Sequence, residues 1–161
     1  MALERKIVLK EGLGDLKFGL DIDQVMSLLG NPTEAETIGE DLEIPTTVLH
    51  YQELGLSLFF DYPVTYNSNL GMPWENTSQF SQASDKEVLI CMDLSTLNVE
   101  LFGEKIIDYS SQQIVKLMVA NNIVSQTMDE EAWGEKRISF EDYAIDFFFF
   151  EDKLTSINFG K

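Results

Sequence analysis

Residues 51–60, Tyr51-Gln52-Glu53-Leu54-Gly55-Leu56-Ser57-Leu58-Phe59-Phe60, match residues 140–149, Phe140-Glu141-Asp142-Tyr143-Ala144-Ile145-Asp146-Phe147-Phe148-Phe149, at a separation of 89 positions. In each stretch two β-rich runs flank a short polar reversal, which is the signal of a β-hairpin. The runs are Thr47–Tyr51 and Leu56–Phe60 about Gln52–Gly55, then Arg137–Phe140 and Ala144–Phe150 about Glu141–Tyr143. A second match falls at the same separation: Gly14–Leu29 against Gly103–Met118, with Gly, Gln and Leu coincident and acid, apolar and cap positions in step. Two separated matches at one offset point to a duplicated unit.

Working outward, Asp21 and Ser110 are N-cap residue types whose side-chain oxygens accept from free first-turn amides. A short amphipathic helix follows each. The first carries Ile22, Val25, Met26, Leu28 and Leu29 and stops at Gly30-Asn31-Pro32; the second carries Ile114, Val115, Leu117 and Met118 and ends near Asn121-Asn122. A closing strand follows each hairpin, Glu87–Asp93 and Leu154–Phe159, and a leading strand is expected near Lys6–Lys10 or Leu16–Phe18 and near Val99–Ile107. The expected fold is therefore α+β: two tandem repeats, 1–98 and 99–161, each a short helix packed on an antiparallel β-meander, together forming one compact unit.

The closing strands align at an offset of 67, so the first repeat holds 22 additional residues within 62–84. Its composition reads as a loop. Tyr62, Tyr66, Trp74 and Phe80 alternate there with Asn, Ser and Gln, a mixture that suits a protein contact because aromatics supply area and short polar groups adapt. The competing reading folds Trp74 and Phe80 back onto the sheet. The run Phe147-Phe148-Phe149-Phe150 also needs cover on both faces, since alternate strand side chains point opposite ways. A second layer of the same molecule supplies that cover, or else a partner does.

The chain has 28 acidic and 11 basic side chains, a formal charge of −17. That field repels nucleic-acid backbones and anionic membranes and steers a basic protein inward. Acidic residues concentrate after each helix: Glu34, Glu36, Glu40, Asp41 and Glu43, then Asp129, Glu130 and Glu131. Both groups are expected in equivalent loops, so that side-by-side repeats would share one negative rim. Their spacing lacks the alternating Asp pattern and central Gly of a calcium loop.

Chemistry has little to stand on. His50 lies in an expected strand with no second His or Cys near it in sequence, and the single cysteine, Cys91, sits among Leu89, Ile90 and Met92 as an inert apolar thiol. No phosphate loop, nucleophile elbow or zinc helix occurs. No catalytic residue, metal or cofactor is expected. No apolar run reaches membrane length, and Met1–Lys6 opens no signal peptide, which reads as a cytoplasmic chain.

The segment Gly19–Pro32, reading Gly-Leu-Asp-Ile-Asp-Gln-Val-Met-Ser-Leu-Leu-Gly-Asn-Pro, followed by a meander of strands, resembles the repeat unit of the β-lactamase inhibitor protein. It is also similar to the single unit of the small lipoprotein of the outer-membrane barrel assembly machinery. The second copy, Tyr109–Asn122, departs by lacking the Gly-x-Pro terminator. The resemblance implies a tandem helix-on-sheet architecture presenting a concave or flat sheet surface to a protein. It implies neither β-lactamase as a target nor any particular inhibitory residue. The expected function is a non-enzymatic protein-binding module, a cytoplasmic inhibitor or immunity protein neutralising a basic toxin. Contact would run through Tyr62, Tyr66, Trp74, Phe80, Glu40, Asp41, Glu43, Asp129, Glu130 and Glu131. The alternative is a small-ligand or calcium-binding domain.

Overall fold

A computed structural model describes residues 3–39, 45–62, 64–66, 80–82 and 86–161. In chain order, strands β1 (Lys6–Val8), β2 (Gly12–Leu13) and β3 (Leu16–Lys17) precede helix α1 (Ile22–Leu29). Then come β4 (Glu34–Ile38), β5 (Thr46–Tyr51), β6 (Leu56–Asp61), β7 (Val64–Tyr66), β8 (Phe80–Gln82) and β9 (Val88–Leu94). The remainder is β10 (Glu100–Leu101), β11 (Glu104–Lys105), α2 (Ser111–Ala120), β12 (Thr127–Glu130), β13 (Glu135–Phe140), β14 (Ile145–Phe150) and β15 (Lys153–Gly160).

Local chemistry explains the helices. Asp21 Oδ1 accepts from the Gln24 amide at 2.8 Å while Gln24 Oε1 accepts from the Asp21 amide at 3.0 Å, a reciprocal cap that satisfies two otherwise orphaned donors. Ser110 and Gln113 repeat it at 3.3 and 2.9 Å. The hairpin reversals are also alike: a 3-10 turn at Gln52–Leu54 ends on left-handed Gly55, and one at Glu141–Tyr143 ends on left-handed Ala144.

The α+β expectation is corrected. The chain is predominantly β, with two short helices of eight and ten residues among the described residues, and the meanders are not separate. They form one antiparallel sheet of eight strands in the order β12-β13-β14-β15-β9-β6-β5-β4. The two halves meet at β9 and β15, from Ile157 opposite Leu94 to Gly160 opposite Cys91. A lone four-stranded meander would leave a long apolar edge of unpaired backbone groups, and joining edge to edge satisfies both. The leading strands likewise belong to neither half alone: β1 lies parallel to β10 in a five-stranded sheet ordered β11-β10-β1-β2-β3.

A single apolar cluster then contains Val25 of α1, Ile114, Leu117 and Met118 of α2, and the inward residues of the large sheet. Phe140 and Phe147 meet edge-on with centroids 5.9 Å apart, and Phe18 meets Phe159 at 5.5 Å. The Phe147–Phe150 run divides by parity: Phe147 and Phe149 are buried, Phe148 is half-buried and Phe150 is 46% exposed. One face of β14 therefore meets the core and the other is left partly open.

The turn between β14 and β15 also caps α2. Asp152 Oδ1 accepts from the Ser111 amide at 3.2 Å and the Ser111 hydroxyl at 2.5 Å, with Lys136 Nζ at 3.8 Å. The Ser111 hydroxyl, then its amide, and lastly Lys136 hold the Asp152 carboxyl below its ordinary range. A depressed folded pKa means stability present above the unfolded value and lost as pH falls through the folded one. Asp152→Ala is expected to cost about 1–2 kcal/mol at neutral pH, the worth of a lost helix cap with some left-handed strain. Urea denaturation should show the gap between wild type and variant narrowing below pH ~4 to the pH-independent strain.

Candidate functional site

The strand registers carry one row of polar residues straight across the outer face of the large sheet. Glu34 pairs with His50, His50 with Ser57 and Ser57 with Asp93. The row continues from Asp93 to Asn158, Asp146, Ser139 and Thr127. Seven interstrand steps of about 4.8 Å make it about 34 Å long. Flanking it diagonally are Phe59, opposite Cys91, and Phe148, opposite Ser156. Ser57, Phe59, Cys91, Asp93, Asp146, Phe148, Ser156 and Asn158 are all half-buried, so the centre of the face is shielded yet accessible.

At one end, Glu36 Oε1 lies 2.9 Å from His50 Nε2 and Ser57 Oγ lies 2.8 Å from His50 Nδ1. One tautomer satisfies both contacts, with Nε2–H donating to the carboxylate and Nδ1 accepting from the hydroxyl. The order carboxylate, imidazole, hydroxyl is that of an activated nucleophile. Acyl transfer also needs free donors aimed at the developing oxyanion. Ser57 stands on β6 with β5 and β9 on either side, so its strand's amides are held in ladder bonds. The arrangement instead ties edge strand β4 to the sheet.

At the centre, the Cys91 thiol donates to Asn158 Oδ1 at 3.3 Å. Burial raises the thiol above its ordinary value and the nearby Asp93 and Asp146 charges push the same way, which keeps it protonated and unreactive. Burial also raises the Asp93 carboxyl. Among the described residues no group of three His, Cys, Asp or Glu side chains could hold a metal. A cleft of about 540 Å³ near Leu3, Leu28, Leu29 and Tyr51 contains Arg5. That guanidinium already donates to the carbonyls of Leu54, Thr96 and Asn98, leaving little for an anion.

The expected contact residues scatter. Glu40, Asp41, Glu43 and Trp74 lie outside the described residues. Tyr62 is half-buried beyond the end of β6. Tyr66 and Phe80 oppose one another where β7 pairs with β8, so the 62–84 segment contains a two-stranded sheet where a loop was expected. The acidic residues are corrected too: Glu34 and Glu36 lie on β4, Asp129 and Glu130 on β12, with Glu131 just after it. These are the opposite edges of the eight-stranded sheet, so the acids among the described residues do not share one rim. Charge on an exposed edge strand discourages pairing with other chains, which accounts for its placement. Sequence reasoning passed over Trp133, 64% exposed with its Nε1 donating to Glu135 at 3.1 Å, although the Trp-Gly pair at 133–134 marks a turn. It also passed over Asp93, Asp146 and Asn158, which are unremarkable until three strands align them.

No protein-family model and no curated protein matches the chain. Among solved structures it is similar to an extracellular protein containing a SCP domain from Bacillus anthracis str. Ames, with 11% identity and a TM-score of 0.46. The similarity covers 89% of this chain and 43% of that one, and at this level it assigns neither fold nor function.

Proposed function

We propose that the chain is a non-enzymatic protein-binding module, a cytoplasmic inhibitor of the immunity-protein kind directed at a basic partner, which docks on the outer face of the eight-stranded sheet. The observation that carries this reading is the polar row flanked by half-buried Phe59 and Phe148. Rigid strands present it, polar groups supply specificity, and partly desolvated aromatics supply the anchor. A face about 34 Å by about 17 Å offers on the order of 600 Å², close to the roughly 800 Å² per partner of a specific complex. The net charge of −17 would speed encounter with a basic protein.

The test is capture of a partner from the native host by the immobilised chain, with growth protection by co-expression as the functional readout. A variant with Phe148→Lys and Ser156→Lys should bind at least about tenfold more weakly, whereas Glu104→Lys on the other sheet should bind normally. Association should also slow as salt rises. A chain that captures no protein and protects against no toxin would overturn the reading, and so would equal loss in both variants.

A further inference from the structure

We infer that the cleft between the end of α1 and the turn joining β5 to β6 is a binding site for a medium-length acyl chain ending in a neutral carbonyl, the chemistry of a fatty amide or ester. Its walls share no residue with the polar row of the outer face, so the site stands apart from the docking reading.

The duplication supplies the comparison. At the separation of 89 residues, Leu28 and Leu29 of α1 correspond to Leu117 and Met118 of α2. In the second half both positions are closed: Leu117 is 6% exposed and Met118 is fully buried. The chain leaving α2 bonds back through the Ile123 amide to the Met118 carbonyl at 2.9 Å, and Ile123 joins the apolar cluster. In the first half Leu28 and Leu29 are only half-buried and, with Leu3 and Leu54, wall the cleft of about 540 Å³. The chain leaving α1 brings Asn31 and Thr33 to the cleft in place of an aliphatic side chain. Buried Tyr51 also lines it, and its hydroxyl donates to the Gly30 carbonyl at 2.9 Å, which ties the cleft to the helix end. One copy of the unit thus covers these helix positions from within, and the other leaves them to an apolar occupant. The volume falls in the range of roughly 300–1,000 Å³ found for small-molecule sites, and covering half-buried leucines is favourable.

The polar side of the cleft is rich in donors. Arg5 donates from Nε to the Asn98 carbonyl at 3.2 Å and once from each terminal nitrogen, to Leu54 at 3.2 Å and Thr96 at 2.8 Å. One N–H therefore remains on each terminal nitrogen. Thr33 Oγ1 accepts from the Gln52 amide at 3.1 Å, which leaves its hydroxyl hydrogen to donate. A carbonyl oxygen, with two lone pairs, suits such donors. Glu53 lines the same cleft and the chain carries a net charge of −17, so a neutral acceptor is favoured over an anionic one.

The probe is octanamide, titrated into the whole chain and followed by amide NMR, with butanamide and hexanamide as shorter homologues and octylammonium as the head-group control. Saturable shifts should centre on Leu28, Leu29, Asn31, Thr33 and Leu54. Each pair of added methylenes should tighten binding by about fivefold to fifteenfold, the upper figure corresponding to complete burial. Octylammonium has no acceptor and should bind there at least about tenfold more weakly. Leu28→Trp, which fills the cleft, should weaken octanamide binding at least about tenfold, whereas Val119→Trp, at an exposed position of α2, should bind like wild type. Thermal transitions check that both variants fold, and the homologue series in the wild-type chain decides the site if Leu28→Trp does not. Affinity independent of chain length, octylammonium binding as tightly as octanamide, or undiminished binding by a folded Leu28→Trp chain would overturn the inference. The Phe148→Lys/Ser156→Lys variant, impaired in partner capture, should bind octanamide normally, so the docking reading and the acyl site fail separately.

Discussion

Phe147→Ala is expected to cost about 3–5 kcal/mol, the range for emptying an aromatic site in a packed core. Phe147 is fully buried, meets Phe140 edge-on at 5.9 Å, and sits in register between Ile138 and Ile157, both also fully buried. The neighbouring side chains stand on strands held in ladder hydrogen bonds, which limits how far they can collapse into the vacated volume. Domains of this size hold about 5–15 kcal/mol in total, so the variant should fall to the edge of stability. Its thermal midpoint should drop by about 6–20 °C. Three residues along, Phe150 is 46% exposed, and Phe150→Ala should change stability by no more than about 1 kcal/mol. Equal losses at the two positions would mean that the parity of β14 has been misassigned.

Gly55→Ala should be the next most damaging change, at about 2–5 kcal/mol from left-handed strain and overpacking combined. Gly55 has φ +63°, and a Cβ there would stand 2.1 Å from Thr96 Oγ1, 2.5 Å from Thr96 Cβ and 2.7 Å from the Thr96 amide nitrogen. The first obstacle could rotate away; the backbone nitrogen cannot. The position 89 residues later supplies the control, because Ala144 already holds a Cβ at φ +51°. Ala144→Gly should be nearly neutral: relief of about 1 kcal/mol of strain is offset by greater freedom of the unfolded chain. Thr96→Ala should restore Gly55→Ala only in part, since it removes Oγ1 and leaves both Cβ and nitrogen. Chemical denaturation of the four variants checks the set, and full rescue by Thr96→Ala would refute the backbone-clash explanation.

This pair of turns also illustrates how much of the fold was legible. Residues 52–55 and 141–144 announce a reversal through polar residues and the matching of flanking runs, and the structure places 3-10 turns there. Asp21 and Ser110 announce helix starts through capping chemistry confined to four residues. The acidic stretches were harder. Glu34 to Ile38 has no buried side chain and no apolar alternation, so nothing in its own residues distinguishes an edge strand from a loop. Only hydrogen bonding to β5 makes it a strand. Within 62–84, similarly, the β7–β8 pairing joins two three-residue segments, Val64–Tyr66 and Phe80–Gln82, set in a stretch whose composition as a whole resembles a loop.

The candidate site was less legible still. Ser57, Asp93, Asp146 and Asn158 come from four strands, and none belongs to a motif. His50 looked isolated because its partners, Glu36 and Ser57, are 14 and seven residues away and reach it only across strands.

By itself the sequence determined what short-range chemistry determines: where helices start, where hairpins turn, the alternation of the hairpin strands, the offset that relates the halves, and the strongly negative charge. Tertiary structure alone decided which strands became neighbours. Backbone pairing of β9 with β15 and of β1 with β10 uses amides and carbonyls that every residue carries, so its cost and gain are set by the geometry of the assembled layers and not by a local pattern. That pairing turned two expected meanders into one eight-stranded sheet, sent the acidic segments to opposite edges, and brought Asp93, Asn158 and Asp146 into a single row.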